Sequence, residues 1–300
     1  MIKIVFLALL LNTGLLALDN STVDKEQIEL HEIPDKKAKE SMENWLEGRF
    51  GLEPHYANYI LPFGYTEQDY KSYVASDIYG QKEAQLQVSF KINIANDFFG
   101  LGEKYYLAYS QRSFWQIYEH SSPFRESNYN PEMFVVFPVT EDNSKLNLRS
   151  VTLAYSHLSN GQGQTHNEEL YTYAYEDPNN RSRGMDNLYV NFRFQNKTLI
   201  TDIKVWTPPI EKKEKSDNPD IMDYLGYAKL KFTYFWGNNM ISLMGRGNPK
   251  KGKGAAEVTY SYPLVNGSYF YAKVFSGYGE SLIDYNNHIT KFSLGFSFSR

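Results

Sequence analysis

From about His55 to the end of the chain, apolar and polar residues alternate in short runs. The last run shows the rule most cleanly: Phe292, Leu294, Phe296 and Phe298 take every second position, and Ser293, Gly295 and Ser297 lie between them. A period of two is the mark of a strand whose faces meet different surroundings. The pattern recurs in 12 segments, near residues 55–66, 84–95, 103–116, 132–140, 145–158, 186–195, 198–206, 224–236, 239–246, 255–262, 268–275 and 289–298. Gly, Asn, Pro and charged residues separate them, as turns require. An even number of such strands, joined by some short turns and some long loops, predicts an all-β fold: a 12-stranded antiparallel transmembrane β-barrel.

The first residues follow another pattern. Met1-Ile2-Lys3 is a short positive head, Ile4–Leu16 is almost continuously apolar, and Asp19-Asn20-Ser21 is polar. That sequence predicts a secretory signal peptide over 1–17, cut near Ala17. It is too short to span a bilayer comfortably as a helix. Residues 18–54 are charged and lack alternation, and predict a periplasmic extension in which Lys25–Trp45 forms an amphipathic helix. The barrel is expected over 55–300, and the protein in a bacterial outer membrane.

Composition narrows the picture. With 25 Tyr and 19 Phe, aromatics reach 16%, yet mean hydropathy is −0.53. A barrel reconciles the two, because lipid-facing residues alternate with polar residues of the lumen. The final strand resembles the C-terminal assembly signal of outer-membrane proteins, although Ser299 and Arg300 follow its last aromatic. Trp115, Trp206 and Trp236 near strand ends suit aromatic girdles. The absence of cysteine excludes disulfides, thiolate chemistry and a lipidated N-terminus. A net charge of −4 without a basic stripe argues against nucleic-acid binding. The mixed run Glu211-Lys212-Lys213-Glu214-Lys215 reads as a solvated loop, and His31, His55, His120, His166 and His288 read as ordinary loop or interface residues.

Chemistry enters where polar residues fall on a face meant for lipid. In the fifth strand Val151, Leu153 and Tyr155 share parity with His157 and Ser159, and in the sixth Asp186 shares parity with Leu188, Val190, Phe192 and Phe194. Such positions are costly in hydrocarbon and need a partner or a use. Serine, histidine and an acid on one wall are what acyl transfer requires, the imidazole taking the serine proton and the acid orienting the ring. Pattern alone leaves two readings open, headgroup-level polarity or a hydrolytic triad. Gln111 stands out similarly, sharing a face with Tyr105, Leu107 and Tyr109 in the third strand.

Tyr155-Ser156-His157-Leu158-Ser159-Asn160-Gly161 resembles the H-x-S-N-G signature of the outer-membrane phospholipase A family. Ser121–Tyr129, Asp217–Ile221 and Ser276–Asn286 resemble further segments of that family in the same order, so the likeness runs from about residue 55 to the C-terminus. The resemblance implies a calcium-dependent serine hydrolase that cleaves sn-1 and sn-2 acyl esters of phospholipids and lysophospholipids and is active as a homodimer. It makes Ser159 the nucleophile, His157 the base and the Gly161 N–H part of the oxyanion hole. Where the family carries a neutral asparagine, this chain has Asp186; the alternative, Asn187, has the parity of the lumen. For Ca²⁺ the resemblance implies a side-chain oxygen from Ser182, a carbonyl from Ser121 across the dimer, and an accessory site at Asp217. The loop between Gly161 and Ser182 is longer than in the family; within it Gln162 is expected to offer a carbonyl and Asp177 an accessory carboxylate. Gln111 is expected to pair with its own copy at the dimer interface. A porin or adhesin that keeps only the scaffold, and a lipid acyltransferase, are the rival readings.

Overall fold

The computed structural model describes residues 34–46, 51–70, 79–139, 147–163, 173–177, 179–211, 216–265 and 267–300. The chain divides into two units, Met1–Gly51 and Leu52–Arg300. In the first, helix α1 spans Lys36–Leu46. The Asp35 carboxylate caps it by accepting the Lys37 N–H at 2.9 Å and the Ala38 N–H at 3.3 Å. The signal segment and the earlier part of the predicted helix lie outside the described residues.

The second unit is a closed antiparallel barrel of 12 strands. They are β1 (Tyr59–Thr66), β2 (Ala84–Asn96), β3 (Lys104–Trp115), β4 (Phe124–Pro138), β5 (Leu148–Ser159), β6 (Gly184–Asn196), β7 (Leu199–Trp206), β8 (Ala228–Trp236), β9 (Asn239–Asn248), β10 (Lys253–Pro263), β11 (Tyr269–Tyr278) and β12 (His288–Ser297). Each pairs with the next, and β12 pairs with β1 through registers such as Phe292↔Tyr65, which closes the sheet. A further short strand, Leu52–Pro54, pairs with Phe90–Ile92 of β2. Closure leaves few strand edges exposed, which is what allows strands to lie in lipid.

Eleven of these strands fall close to the alternating segments; β4 does not, since it begins at Phe124 where a loop was expected. Its inward residues there are Glu126, Asn128, Asn130 and Glu132, and Ser127, Tyr129 and Pro131 point the other way. No apolar face exists to betray a strand. Pro131 has no N–H for a ladder, and the β4–β5 register skips from Tyr129↔Ser159 to Glu132↔Ser156. The Asn130 side chain fills the gap, donating to the His157 carbonyl at 2.9 Å and the Ser156 hydroxyl at 2.8 Å.

Burial is inverted relative to a soluble protein. Val88, Met133, Leu153, Leu188 and Leu243 are exposed on the outer wall, whereas Glu83, Arg125, Glu280, Lys273 and Lys291 are buried within. Glu83 receives Arg125 at 2.9 Å and Lys291 at 2.5 Å, and Arg125 also pairs with Asp284. Lys291 reaches Glu280 at 3.3 Å as well. One expectation needs correction here. Trp206 packs among buried residues of the interior, including Tyr189 and Met185, because its place in β7 has lumen parity. His55, in the bend before β1, is half-buried, its Nε2 lying 2.9 Å from the Glu132 carboxylate and its ring stacked on Phe134. Trp236, exposed and stacked on Tyr234, does suit a girdle.

Removing one member of the buried network leaves an opposite charge without its counter-ion. Lys291→Met should therefore destabilise the barrel by about 3 kcal/mol. Urea unfolding of the refolded protein in detergent would show this as an earlier midpoint; an unchanged midpoint would mean that the network is energetically neutral.

Candidate active site

Strand register assembles the site. His157 on β5 lies directly opposite Asp186 on β6, and Ser159 lies opposite Gly184 on one side and Tyr129 on the other. All four side chains belong to the outward set. His157 and Asp186 are bonded, Nδ1 to Oδ1 at 2.6 Å, with side-chain exposures of 44% and 33%. Occupation of Nδ1 leaves Nε2 as the nitrogen that can take or give a proton. The same Asp186 oxygen accepts the Tyr155 hydroxyl at 2.9 Å. A charged group on a lipid-facing wall thus has two donors, which offset part of its lost hydration. Asn187, one residue on, is buried in the interior.

The strand then ends in a tight turn. Gly161 has φ +63°, and its N–H donates to the Ser159 hydroxyl oxygen at 3.1 Å. That leaves a backbone donor directly beside the Ser159 oxygen. A side chain at 161 would meet the Tyr129 ring at 3.0 Å in a backbone conformation that L residues rarely adopt. Between the two residues, Asn160 is buried; its Oδ1 accepts the Arg183 N–H at 2.9 Å and its Nδ2 donates to the Arg181 carbonyl at 2.8 Å.

The expected metal ligands fall into distinct groups. Ser182 donates to Asp217 at 2.6 Å, and Asn180 reaches the other oxygen of that carboxylate at 3.4 Å. Asp177 is buried one turn earlier, accepting the Asn179 N–H at 2.8 Å on its side chain and the Asn180 N–H at 3.0 Å on its carbonyl. Gln162 is linked to the same region through its N–H, which reaches Asn160 Oδ1 at 3.3 Å. Ser121 is separate, in the turn between β3 and β4, with φ +62° and its hydroxyl 3.1 Å from His120 Nδ1. Among the described residues no three Asp, Glu, His or Cys side chains converge. An ion here would draw on hydroxyl, carbonyl and water oxygens beside one carboxylate. That donor set fits a hard cation such as Ca²⁺.

Two contributors escaped the sequence reading. Tyr155 looked like one more lipid-facing aromatic. Glu211 looked like the start of a solvated run, of which 212–215 lie outside the described residues. It is half-buried, and burial chiefly, with the charges of Asp186 and Asp217 adding to it, holds its carboxyl above the usual range. His157 opposes that rise. No period or motif could have brought a loop carboxylate to this place. On β3 the Gln111 side chain lies on the outer face in a polar relay, receiving the Tyr109 hydroxyl at 2.9 Å and donating to Ser113 at 3.2 Å.

Residues 36–298 match the family model described as Phospholipase A1. The chain belongs to the phospholipase A1 family. Phospholipase A1 of Escherichia coli is 33% identical over 252 residues, covering 82% of this chain and 81% of the relative; that of Proteus vulgaris is 34% identical over the same shares. Outer membrane phospholipase A from Escherichia coli has the same fold, with a TM-score of 0.72 at 32% identity over 83% of this chain and 98% of that one. A Salmonella typhi outer membrane phospholipase, solved as a dimer with bound calcium, also gives a TM-score of 0.72, at 33% identity over 82% and 91%.

The Ser159–Gly161 turn yields a direct expectation. Gly161→Ala should leave a folded barrel but slow labelling of Ser159 by a fluorophosphonate at least about tenfold, since both the φ and the Tyr129 contact resist it. Labelling at the original rate would show that this N–H contributes nothing.

Proposed function

We propose that this chain is a serine phospholipase of the outer membrane that hydrolyses sn-1 and sn-2 acyl esters and works as a calcium-loaded homodimer. The observation that carries the reading is the outward His157–Asp186 pair, two residues from Ser159 on a wall that otherwise presents Leu153, Leu188 and Met133 to lipid. A polar set in that position meets its substrate without drawing it from the membrane. The family match and the calcium-bound dimer of the Salmonella relative support the same conclusion.

In this reading His157 Nε2 removes the proton of Ser159 as the hydroxyl oxygen attacks the ester carbonyl. The resulting imidazolium is stabilised by Asp186, which also fixes the ring through Nδ1. The Gly161 N–H turns from Ser159 to the oxyanion, only 3.1 Å from its present acceptor. His157 then returns its proton to the leaving alcohol, and a water, deprotonated by the same nitrogen, releases the fatty acid. Ser182 and the carbonyl of Gln162 would hold Ca²⁺ from one subunit and the carbonyl of Ser121 from the other, with Asp217 and Asp177 in accessory roles. When bound, the ion supplies positive charge beside the developing oxyanion.

Gln111 has a place in the dimer. Its amide is satisfied within the chain by Tyr109 and Ser113, but it lies one strand from Tyr129, which adjoins Ser159. A second copy of the same face would meet it amide to amide and exclude lipid from both sites. The porin reading loses ground to the buried ion pairs that occupy the interior.

Fatty-acid release from mixed micelles should require calcium, stop with chelator, and fall at least about a thousandfold in Ser159→Ala. Release that survives the substitution would move the nucleophile elsewhere. Asp186→Asn should keep substantial activity, because the family resemblance puts a neutral asparagine at this position, whereas Asp186→Ala should lose most of it. Full activity in both would remove Asp186 from the mechanism. Gln111→Leu should fold normally and lower the yield of crosslinked dimer; an unchanged yield would count against its pairing.

A further inference from the structure

We propose that the turn between β2 and β3 is a membrane anchor, an apolar cap formed by Phe98, Phe99 and Leu101 that lies at the boundary of headgroups and acyl chains on the periplasmic side. The inference needs the barrel to lie in a bilayer and is independent of the chemistry assigned to Ser159. Ser159 stands at the end of the barrel that bears the longest connections, 67–83, 160–183 and 207–227. Residues 97–103 join their strands at the other end, which in an outer-membrane barrel faces the periplasm. The turn is tightly folded. The Asp97 N–H donates to the Glu103 carbonyl at 2.7 Å, and Asp97 Oδ1 accepts the Gly102 N–H at 2.8 Å. Glu103 is fully buried. Its Oε1 accepts the Phe99 N–H at 2.7 Å and the Tyr105 hydroxyl at 3.1 Å, and its Oε2 accepts the Leu101 N–H at 3.1 Å. Around this satisfied carboxylate Phe98, Phe99 and Leu101 are 76%, 67% and 62% exposed.

The side on which Glu103 lies identifies lipid as the occupant. The Asp97–Glu103 bond continues the β2–β3 ladder one rung beyond Asn96↔Lys104. Glu103 therefore keeps the parity of Tyr105 and Leu107, the outward set, and its bond from the Tyr105 hydroxyl agrees with that. A carboxylate on the lipid side of the wall has to be enclosed and supplied with donors, because hydrocarbon offers it none. Water would make both provisions unnecessary. The outer wall also leads directly to the turn: Val88 and Ile92 on β2, Ile94 in its bulge and Leu107 on β3 are exposed apolar residues. Three large apolar side chains held on one rigid turn would form a patch of the kind that water-facing surfaces avoid. Two other turns at the same end are polar, with Lys197-Thr198 between β6 and β7 and Gly237-Asn238 between β8 and β9. Seated at the boundary, the two phenyl rings, 5.0 Å apart and edge to face, take the depth at which the aromatic residues of a barrel lie.

The chain has no cysteine, so single ones can carry spin labels in the full chain, refolded and reconstituted into phosphatidylcholine vesicles. Labels at Phe98→Cys and Leu101→Cys are compared with Val88→Cys on the outer wall and Asn238→Cys in a polar turn. Collision rates with oxygen and with a water-soluble nickel chelate give the depth of each. The anchor predicts labels at 98 and 101 about 5–10 Å inside the headgroup plane, like Val88 in favouring oxygen, with the label at 238 in water. Adding Glu103→Ala to Phe98→Cys removes the acceptor for two turn N–H groups, and should narrow the spectrum and move the label toward water. Labels at 98 and 101 that read like the one at 238 would overturn the inference. Labels shielded from both colliders would also overturn it, since they would mark contact with protein, a second copy included. An unchanged depth in folded Glu103→Ala would overturn the carboxylate's part. If that variant fails to refold, the depths at 98 and 101 still decide. Every reading is a depth, so loss or survival of hydrolysis in Ser159→Ala bears on the nucleophile alone.

Discussion

A strand closed into a barrel sends successive side chains alternately to hydrocarbon and to the lumen, and a slip of one residue exchanges the two sets. Everything about the site depends on that register. Because β5 and β6 pair with His157 opposite Asp186, the imidazole and the carboxylate emerge side by side on the outer wall. The opposite parity would bury them among Ser156 and Asn187, out of reach of lipid. The outward position has its own requirement, since no bulk water is at hand to solvate a charge. Asp186 meets it with hydrogen bonds from His157 and Tyr155. An asparagine would need less support there, and the aspartate of this chain goes with a stronger pull on the imidazolium.

The interior behaves as a framework for the exterior. Charges that would be ruinous in the core of a soluble protein pair across the lumen, and residues far apart in sequence meet there. Glu83 near the start of β2, Arg125 on β4, Asp284 before β12 and Lys291 on β12 form one network. Its members hold the β4 end that flanks Ser159. The Asn130 amide, which replaces a ladder bond missing at Pro131, grips the carbonyl of His157 from the same side. For polar side chains on an outer wall, part of the alignment comes through the backbone from within.

The fold and the three polar residues on the lipid face were legible because alternation is a local signal. Twelve runs, their faces, and the outward parity of His157, Ser159 and Asp186 follow from period two. The start of β4 was not legible, because a strand polar on both faces has no contrast to read. Trp206 misled for a related reason: an aromatic near a strand end suggests a girdle, yet parity sends it inward. Glu211 was invisible in a different way, since a loop carboxylate is placed by chain closure over many residues.

The central claim is that Ser159 carries the acyl group during turnover. Its most direct test is to quench the protein while it hydrolyses a phospholipid with an isotopically labelled acyl chain, digest it, and locate the label by mass spectrometry. The account predicts an acyl ester on the peptide that holds His157-Leu158-Ser159, and a longer-lived one on a His157 variant acylated with an activated ester, which lacks the base for deacylation. Label on another residue, or turnover without any acylated peptide, would contradict it.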